Sequence, residues 1–239
     1  MKTNLLGKLA LALGTIALGF SLGAAGKPLS RPAPTNWYAT VTQTDHDSYI
    51  QGNPAAPVKL VEFISYTCPH CAHFEQESAD QLRIGMVMPG KGSVEVRSIV
   101  RDPIDMTVAV LVRCGPKEKF FGNHAAFLRG QARWIGPYET MSPTQQQRWF
   151  GTSDRATQMR YIAADFNLYA IMAGRGYDRI AVDRCLANTA LAQRLADRTA
   201  EATTALRIRS TPSFMVDGVV LAGTTEWSVL RPQLEARLH

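Results

Sequence analysis

An α/β layer interrupted by an all-helical subdomain is the fold class that this sequence predicts, and three observations predict it. The near-continuous apolar run at 58–65 has the composition of a strand buried on both faces. A helical stretch at 72–86 and a β-branched run at 94–100 follow it, completing a strand-helix-strand unit with a parallel pair. Residues 105–206 then carry almost no strand signal, and the sheet pattern resumes at 213–216 and returns at 219–222 across Asp217-Gly218, a dipeptide that favours a hairpin turn.

The chain opens with Lys2 and Lys8 ahead of an uncharged stretch to Gly26, and small residues at Ala24 and Gly26 fit a cleavage site, so residues 1–26 read as a removed secretory signal. That stretch is Gly-rich and falls short of the ~20 strongly apolar residues of a membrane span. Pro28, Pro32 and Pro34 mark 27–36 as an extended linker. Two β-prone runs, 38–44 and 48–51, flank Asp45-His46-Asp47 as a hairpin, and Pro54 and Pro57 break the chain before the strand at 58–65. Helices are expected at 105–114, 117–134, 143–150, 156–172, 178–186 and 189–206. A closing helix at 227–238 contains Pro232, which should bend it or move its start. The domain plan is one α/β domain made of 37–104 and 207–239, with 105–206 inserted.

At 239 residues, 46% hydrophobic and 19% charged, the chain has enough apolar material for a full core plus a subdomain, which excludes collagen-like, disordered and polytopic classes. The net charge of +6 falls to +4 without the signal, because 26 basic residues less Lys2 and Lys8 leave 24 against 20 acidic. That excess is too mild to argue for nucleic acid, and no nucleic-acid-binding pattern, phosphate loop or solenoid repeat is present.

The chemistry is concentrated at Cys68-Pro69-His70-Cys71, directly after the apolar strand. Two thiols at the first turn of a helix can close a small disulfide ring, and the first lies near unpaired N–H groups and the positive end of the helix dipole. Moving a thiol from ~8.5 to ~5 takes about 4.8 kcal/mol at ~1.36 per unit, of which a helix end supplies at most ~2. The N–H donors and His70 are assigned the remainder. A zinc cluster of Cys68, His70, Cys71 and His73 is the minor reading, since no second ligand pair stands at comparable spacing. No metal or other cofactor is expected.

Glu62 lies within the apolar strand, where an ionised carboxylate is costly to bury. Its functional reading is a proton acceptor or relay for the thiols; the alternative is a carboxylate at a solvent-facing edge, against which Val61, Phe63 and Ile64 argue. Thr211-Pro212 enters the returning strand, and a cis bond there would hold the chain close to the sulfurs and leave the Thr211 backbone free to pair with an extended peptide. The alternative is an ordinary trans loop proline. In an exported chain the four cysteines are expected as disulfides: Cys68 with Cys71 by proximity, which leaves Cys114 and Cys185, on two predicted helices, as a structural bridge. The rival is two separate buried thiols.

Gly52-Asn53-Pro54-Ala55-Ala56-Pro57, Val61-Glu62-Phe63, the Cys-Pro-His-Cys motif, the helical insertion, Ser210-Thr211-Pro212-Ser213-Phe214 and Asp217-Gly218 occur in that order. On these residues the chain resembles the DsbA family of the thioredoxin superfamily, over 37–239. The resemblance implies a thioredoxin fold, a central mixed β-sheet flanked by helices, carrying the helical subdomain as an insertion. It also implies a periplasmic protein thiol:disulfide oxidoreductase with Cys68 as exposed nucleophile, Cys71 as resolving thiol and Glu62 as the buried acid. Thr211-Pro212 matches the cis-proline loop, with Pro69 on the same substrate-binding side. Reduced folding proteins are the implied substrates, and a membrane quinone-linked protein the implied reoxidant. Thr211 departs from the valine of well-known oxidases in the family and matches isomerases and reductases, so the direction of electron flow is a matter for measurement. The roughly 25 residues between the signal and Gly52 are too few and too Pro-rich for the dimerisation domain of many isomerases. The expectation is a monomeric dithiol oxidase; the alternatives are an isomerase or reductase, or a non-catalytic chaperone or metal carrier.

Overall fold

The computed structural model describes residues 35–238, so the expected signal at 1–26 and most of the expected linker at 27–36 lie outside the described residues. A 3-10 turn at Trp37–Ala39 precedes a hairpin of β1 (Val41–Gln43) and β2 (Tyr49–Gly52). The first β-prone run thus yields three strand residues, because the Asn36 side chain accepts the Ala39 N–H and holds the preceding segment in a turn. Next come β3 (Val58–Ile64), α1 (Pro69–Leu82), a five-residue π turn at Arg83–Val87, and β4 (Gly92–Ser98). Helix α1 starts earlier than residue 72 because Pro69, with its fixed φ, occupies the first helical position and Cys68 the N-cap.

The insertion runs through α2 (Pro103–Leu111), a 3-10 turn at Lys117–Lys119, α3 (Phe120–Arg129), α4 (Gln131–Ile135), α5 (Pro137–Thr140), α6 (Pro143–Phe150), α7 (Arg155–Asp165), α8 (Leu168–Gly174), α9 (Arg179–Leu186) and α10 (Thr189–Thr204). The expected helix at 117–134 divides at Gly130, and that at 156–172 divides at Asn167, whose φ of 53° lies in the left-handed region that asparagine tolerates. Then β5 (Ser213–Val216), β6 (Val219–Val220) and α11 (Trp227–Glu235) return to the sheet; Pro232 sits inside α11 without ending it.

The six strands lie in the order β1-β2-β4-β3-β5-β6. Strands β3 and β4 are parallel in register from Val58↔Gly92 to Ile64↔Ser98, and β5 runs antiparallel to β3 with Glu62 opposite Phe214. Six of the seven β3 residues are buried, as a central strand requires. Side chains alternate along a strand, so Leu60, Glu62 and Ile64 share one face and Val61 and Phe63 the other. On the first face Leu60 joins Phe74 and Leu82 of α1 with Leu230 and Leu234 of α11; on the second, Val61 and Phe63 join Ala202 of α10 and Ile208. Fully burying each such side chain contributes about 1.5–3 kcal/mol. The buried Arg113 guanidinium donates to Asp47 O at 2.8 Å, Ser98 Oγ at 3.1 Å and Ala109 O at 2.7 Å, tying the hairpin loop, β4 and α2 together.

Cys114 and Cys185 are bonded, with their Cα atoms 5.7 Å apart. Cys114 lies just past the Val112 cap of α2 rather than on the helix, so the bridge fastens the end of α2 to α9. Closing a loop across a separation of 71 residues stabilises the fold through the unfolded chain. The double variant C114A/C185A is expected to lose about 4 kcal/mol of unfolding free energy in reversible denaturant titrations; an unchanged midpoint would show that the bridge constrains nothing.

Candidate active site

Strand β3 ends one turn before the dithiol, and the connecting residues are held from the insertion. Asp105 of α2, fully buried, accepts the Ser65 hydroxyl at 2.6 Å, the Tyr66 N–H at 2.8 Å and the Arg101 N–H at 3.1 Å. Asp102 accepts the Thr67 hydroxyl at 2.7 Å and, as N-cap of α2, the Asp105 N–H at 2.8 Å. Gln131 of α4 donates one amide to both Tyr66 O and Cys68 O, at 2.7 and 2.9 Å. Every polar group of a buried loop needs such a partner, and here the partners also aim the first turn of α1.

At that turn the two thiols are free and unlike. Cys68 is pulled from an ordinary 9.0 down to about 5: first by the hydrogen bond from the Cys71 thiol, against burial, and then by the Thr211 side chain and the backbone N–H groups of Cys71 and His70. Cys71 is pushed the other way by burial, by its hydrogen bond to Cys68 and by the Cys68 charge. The stabilisation assigned to His70 therefore comes from its main chain, while its side chain, like that of Pro69, is exposed. Nor is Cys68 an exposed nucleophile, as the resemblance implies: it is only 2% accessible, because its sulfur packs 3.1 Å from Thr211 O, to which the neutral thiol donates. The Thr211–Pro212 bond is cis. The β3–β5 ladder stops at Phe63↔Ser213, which leaves the Thr211 backbone outside it. Thr211 Oγ1 is buried without an aligned partner in this dithiol state, yet it helps to lower the Cys68 thiol, as a hydroxyl would by turning its proton to a thiolate.

Glu62 is 4% exposed, opposite Val96 and Phe214 in the middle of the sheet, so the solvent-facing alternative is excluded. Burial, reinforced by the charge of Glu75, raises it to about 8. It shares its sheet face with Ile64, which packs in one cluster with Cys71. Glu75 on α1 is itself held low: burial would raise it, but hydrogen bonds and charges from His124 and Arg129 outweigh that. His73 pairs with Glu77 at 3.3 Å, and among the described residues no cluster of ligating side chains could hold a metal ion. The structure thus brings Cys68, Cys71, Pro69, Thr211 and Pro212 together, sets Glu62 on the sheet face of Ile64, which packs in one cluster with Cys71, and keeps Cys114–Cys185 apart as a bridge within the insertion. Sequence reasoning missed Asp102, Asp105 and Gln131. An Asp-Pro followed by Asp105 does signal a capped helix start, but no sequence pattern says that the same carboxylates reach back to residues 65–67.

A six-stranded sheet with a helical insertion, and a dithiol at a helix N-terminus facing a cis-proline, define a thioredoxin-fold protein with a paired-cysteine site. The chain belongs to the thioredoxin family, whose model, described as Thioredoxin, matches residues 44–236. A crystal structure from Novosphingobium aromaticivorans, described as a protein-disulfide isomerase, is 57% identical and superposes with a TM-score of 0.77 over 80% of this chain and 97% of that one. Wolbachia pipientis alpha-DsbA1, 21% identical, shares the fold with a TM-score of 0.58 over 79% of this chain and 89% of its own. A Rickettsia typhi protein provisionally named a protein-disulfide oxidoreductase is 29% identical over 139 residues, covering 53% of this chain and 50% of that protein. The chain thus spans about half the length of that curated relative.

The depressed Cys68 thiol has a consequence for stability with a definite sign. A group whose folded value is lowered stabilises the fold fully above its ordinary value and loses that contribution as pH falls through the folded one. The reduced protein should therefore gain stability over the oxidised form as pH rises from about 5 towards 9, and lose it below. Denaturant titrations of both forms across that window check this; parallel pH profiles would mean that Cys68 is not a stabilised thiolate.

Proposed function

We propose that this chain is an exported, monomeric dithiol oxidase of the periplasm that donates a Cys68–Cys71 disulfide to folding proteins. The observation that carries the proposal is the opposite displacement of the two thiols, Cys68 down and Cys71 up. A substrate thiolate attacks Cys68 Sγ; the Cys68–Cys71 bond breaks and its electron pair leaves on Cys71, which takes a proton because burial disfavours its anion. Glu62, raised to about 8 and so protonated at neutral pH, is the source of that proton. The substrate's second thiolate then attacks its partner sulfur and releases Cys68, a good leaving group because its thiolate is stabilised. Two electrons have passed from substrate to enzyme, and a membrane redox partner removes them. Stabilising the reduced pair makes the disulfide more oxidising, by about 30 mV for each 1.4 kcal/mol.

The cis Thr211–Pro212 bond and a Thr211 backbone that lies outside the β3–β5 ladder support a substrate strand docking beside Cys68, with the exposed Pro69 and His70 next to it in the chain. Export is supported by the signal-like first 26 residues and by the Cys114–Cys185 bridge, which suits an oxidising compartment. A second reading, a disulfide isomerase, is favoured by Thr211 before the cis-proline and by the description of the 57% identical structure. The reduction potential of the Cys68–Cys71 pair separates the two. An oxidase should equilibrate well above the glutathione couple, C68A should abolish oxidation of reduced protein, and C71A should accumulate a mixed disulfide. A strongly reducing potential, with rapid rearrangement of scrambled disulfides, would sink the oxidase.

A further inference from the structure

Helices α3, α4 and α8, with the start of α5, enclose a groove of about 820 Å³ on the insertion. Its charged lining is of one sign: Arg129 from α3, Arg133 from α4 and Arg175 at the end of α8, with no Asp or Glu among the described residues that line it. Of the three, only Arg129 is in an ion pair among the described residues, through its Nε to Glu75 at 3.0 Å. Arg133 is exposed, and its guanidinium folds back over Gly130, with Nη2 standing 3.7 Å from where a Cβ would lie there. Arg175 is half-buried and held in place. Its Nε donates to Asn123 Oδ1 at 3.2 Å, and the fully buried Asn123 amide donates in turn to Val112 O, Cys114 O and the Tyr177 hydroxyl. Gly122 makes room for it, since a Cβ on that helical residue would fall 2.3 Å from Arg175 Nη2. Glycine within a helix is destabilising relative to alanine, and here the missing side chain is the space in which a guanidinium lies.

We propose that this groove docks an acidic segment of the protein that is joined to Cys68, so that the enzyme reads charge as well as a thiol in its substrates. Three guanidinium groups with one carboxylate between them leave N–H donors unmatched, and the planar guanidinium fork matches a carboxylate. The position fits. Gly130 and Arg133 flank Gln131, whose side chain donates to Cys68 O at 2.9 Å, so the groove begins one glutamine side chain from the Cys68 main chain. An extended chain advances ~3.3–3.6 Å per residue, so a handful of residues beside the reacting cysteine reach it. Exposed ion pairs contribute little singly and are weakened by salt, which suits a site that must release each product. The inference rests on the reading of Cys68 as the sulfur to which substrates are joined.

The test uses two short, dye-labelled peptides without cysteine, one alternating glutamate with alanine and one glutamine with alanine. Each is titrated with the oxidised protein and followed by fluorescence anisotropy. The glutamate peptide should bind about tenfold more tightly at low ionic strength, with the margin shrinking as salt is added. R133Q/R175Q should remove that preference. G122A keeps every charge but crowds Arg175 out of its place, and should weaken binding of the glutamate peptide several-fold. Retained preference in folded R133Q/R175Q would overturn the groove. Unchanged binding by G122A would do the same, since it marks diffuse attraction to a basic protein. So would displacement by inorganic phosphate beyond that by sodium chloride of equal ionic strength, which assigns the arginines to a small anion. A second arm joins each peptide, through an added cysteine, to Cys68 of C71A. The glutamate peptide should resist release by reduced glutathione several-fold better, because a second contact on a short tether acts at high effective concentration. Equal release would overturn the link between groove and dithiol. Failure of C71A to form either mixed disulfide would instead defeat the reading of Cys68, and the anisotropy titration does not share that failure.

Discussion

Delivery of the α1 N-terminus to the end of β3 is the constraint on which the rest of the site depends. The four residues from Ser65 to Cys68 leave a buried strand and must turn into a helix without stranding a polar group, and Asp102, Asp105 and Gln131 supply the partners. All three belong to the first part of the insertion or its immediate cap. The inserted helices are therefore more than a cover. Burial raises Asp105 to about 7 even though Ser65, Tyr66 and Arg101 donate to it, so the anchor is itself electrostatically costly. Such a cost is sustained where a loop must be held in one position.

With the loop held, the difference between the two thiols follows from geometry. Cys68 at the N-cap faces main-chain donors and the cis-proline loop; Cys71, one turn in, packs with Ile64 and Tyr66, where burial outweighs the Ser65 backbone and Thr211 side chain that favour its anion. The Cys71 thiol donates to Cys68, so the one bond lowers Cys68 and raises Cys71. No added cation is required for this, which is why the His70 side chain can stand free at the surface beside the thiols.

Those parts of the fold that rest on periodicity were legible in the residues: the buried strand at 58–64, its parallel partner, the Asp217-Gly218 hairpin and the helical insertion. Boundaries set by single residues were not. Gly130 and Asn167 divide helices whose composition reads as continuous, and Asn36 turns a β-prone run into a 3-10 turn. The dithiol, Glu62 and Thr211-Pro212 could be picked out because each is chemically out of place in its segment. Asp105, Gln131, Glu75 and His124 could not, because a polar residue on a helix is unremarkable until the tertiary fold decides what it touches. The accessibility of Cys68 belongs to the same class, since it is set by a carbonyl far along the chain.

The order of the cysteines bears on how the molecule is made. Four thiols allow three pairings, and the one bridged here, with Cys68 and Cys71 left for each other, joins neighbours in sequence without interleaving. In the export proposed above, the chain emerges from its N-terminal side, so Cys68 meets Cys71 before β4 or α2 has appeared, and short loops close at the lowest entropic cost. By the time Cys114 and Cys185 appear, the first pair is already satisfied, and the remaining bridge has a single way to form. A newly made chain is thereby protected from mispairing by its own linear layout, and in acquiring the Cys114–Cys185 bond it needs the same oxidising chemistry that its dithiol is proposed to dispense.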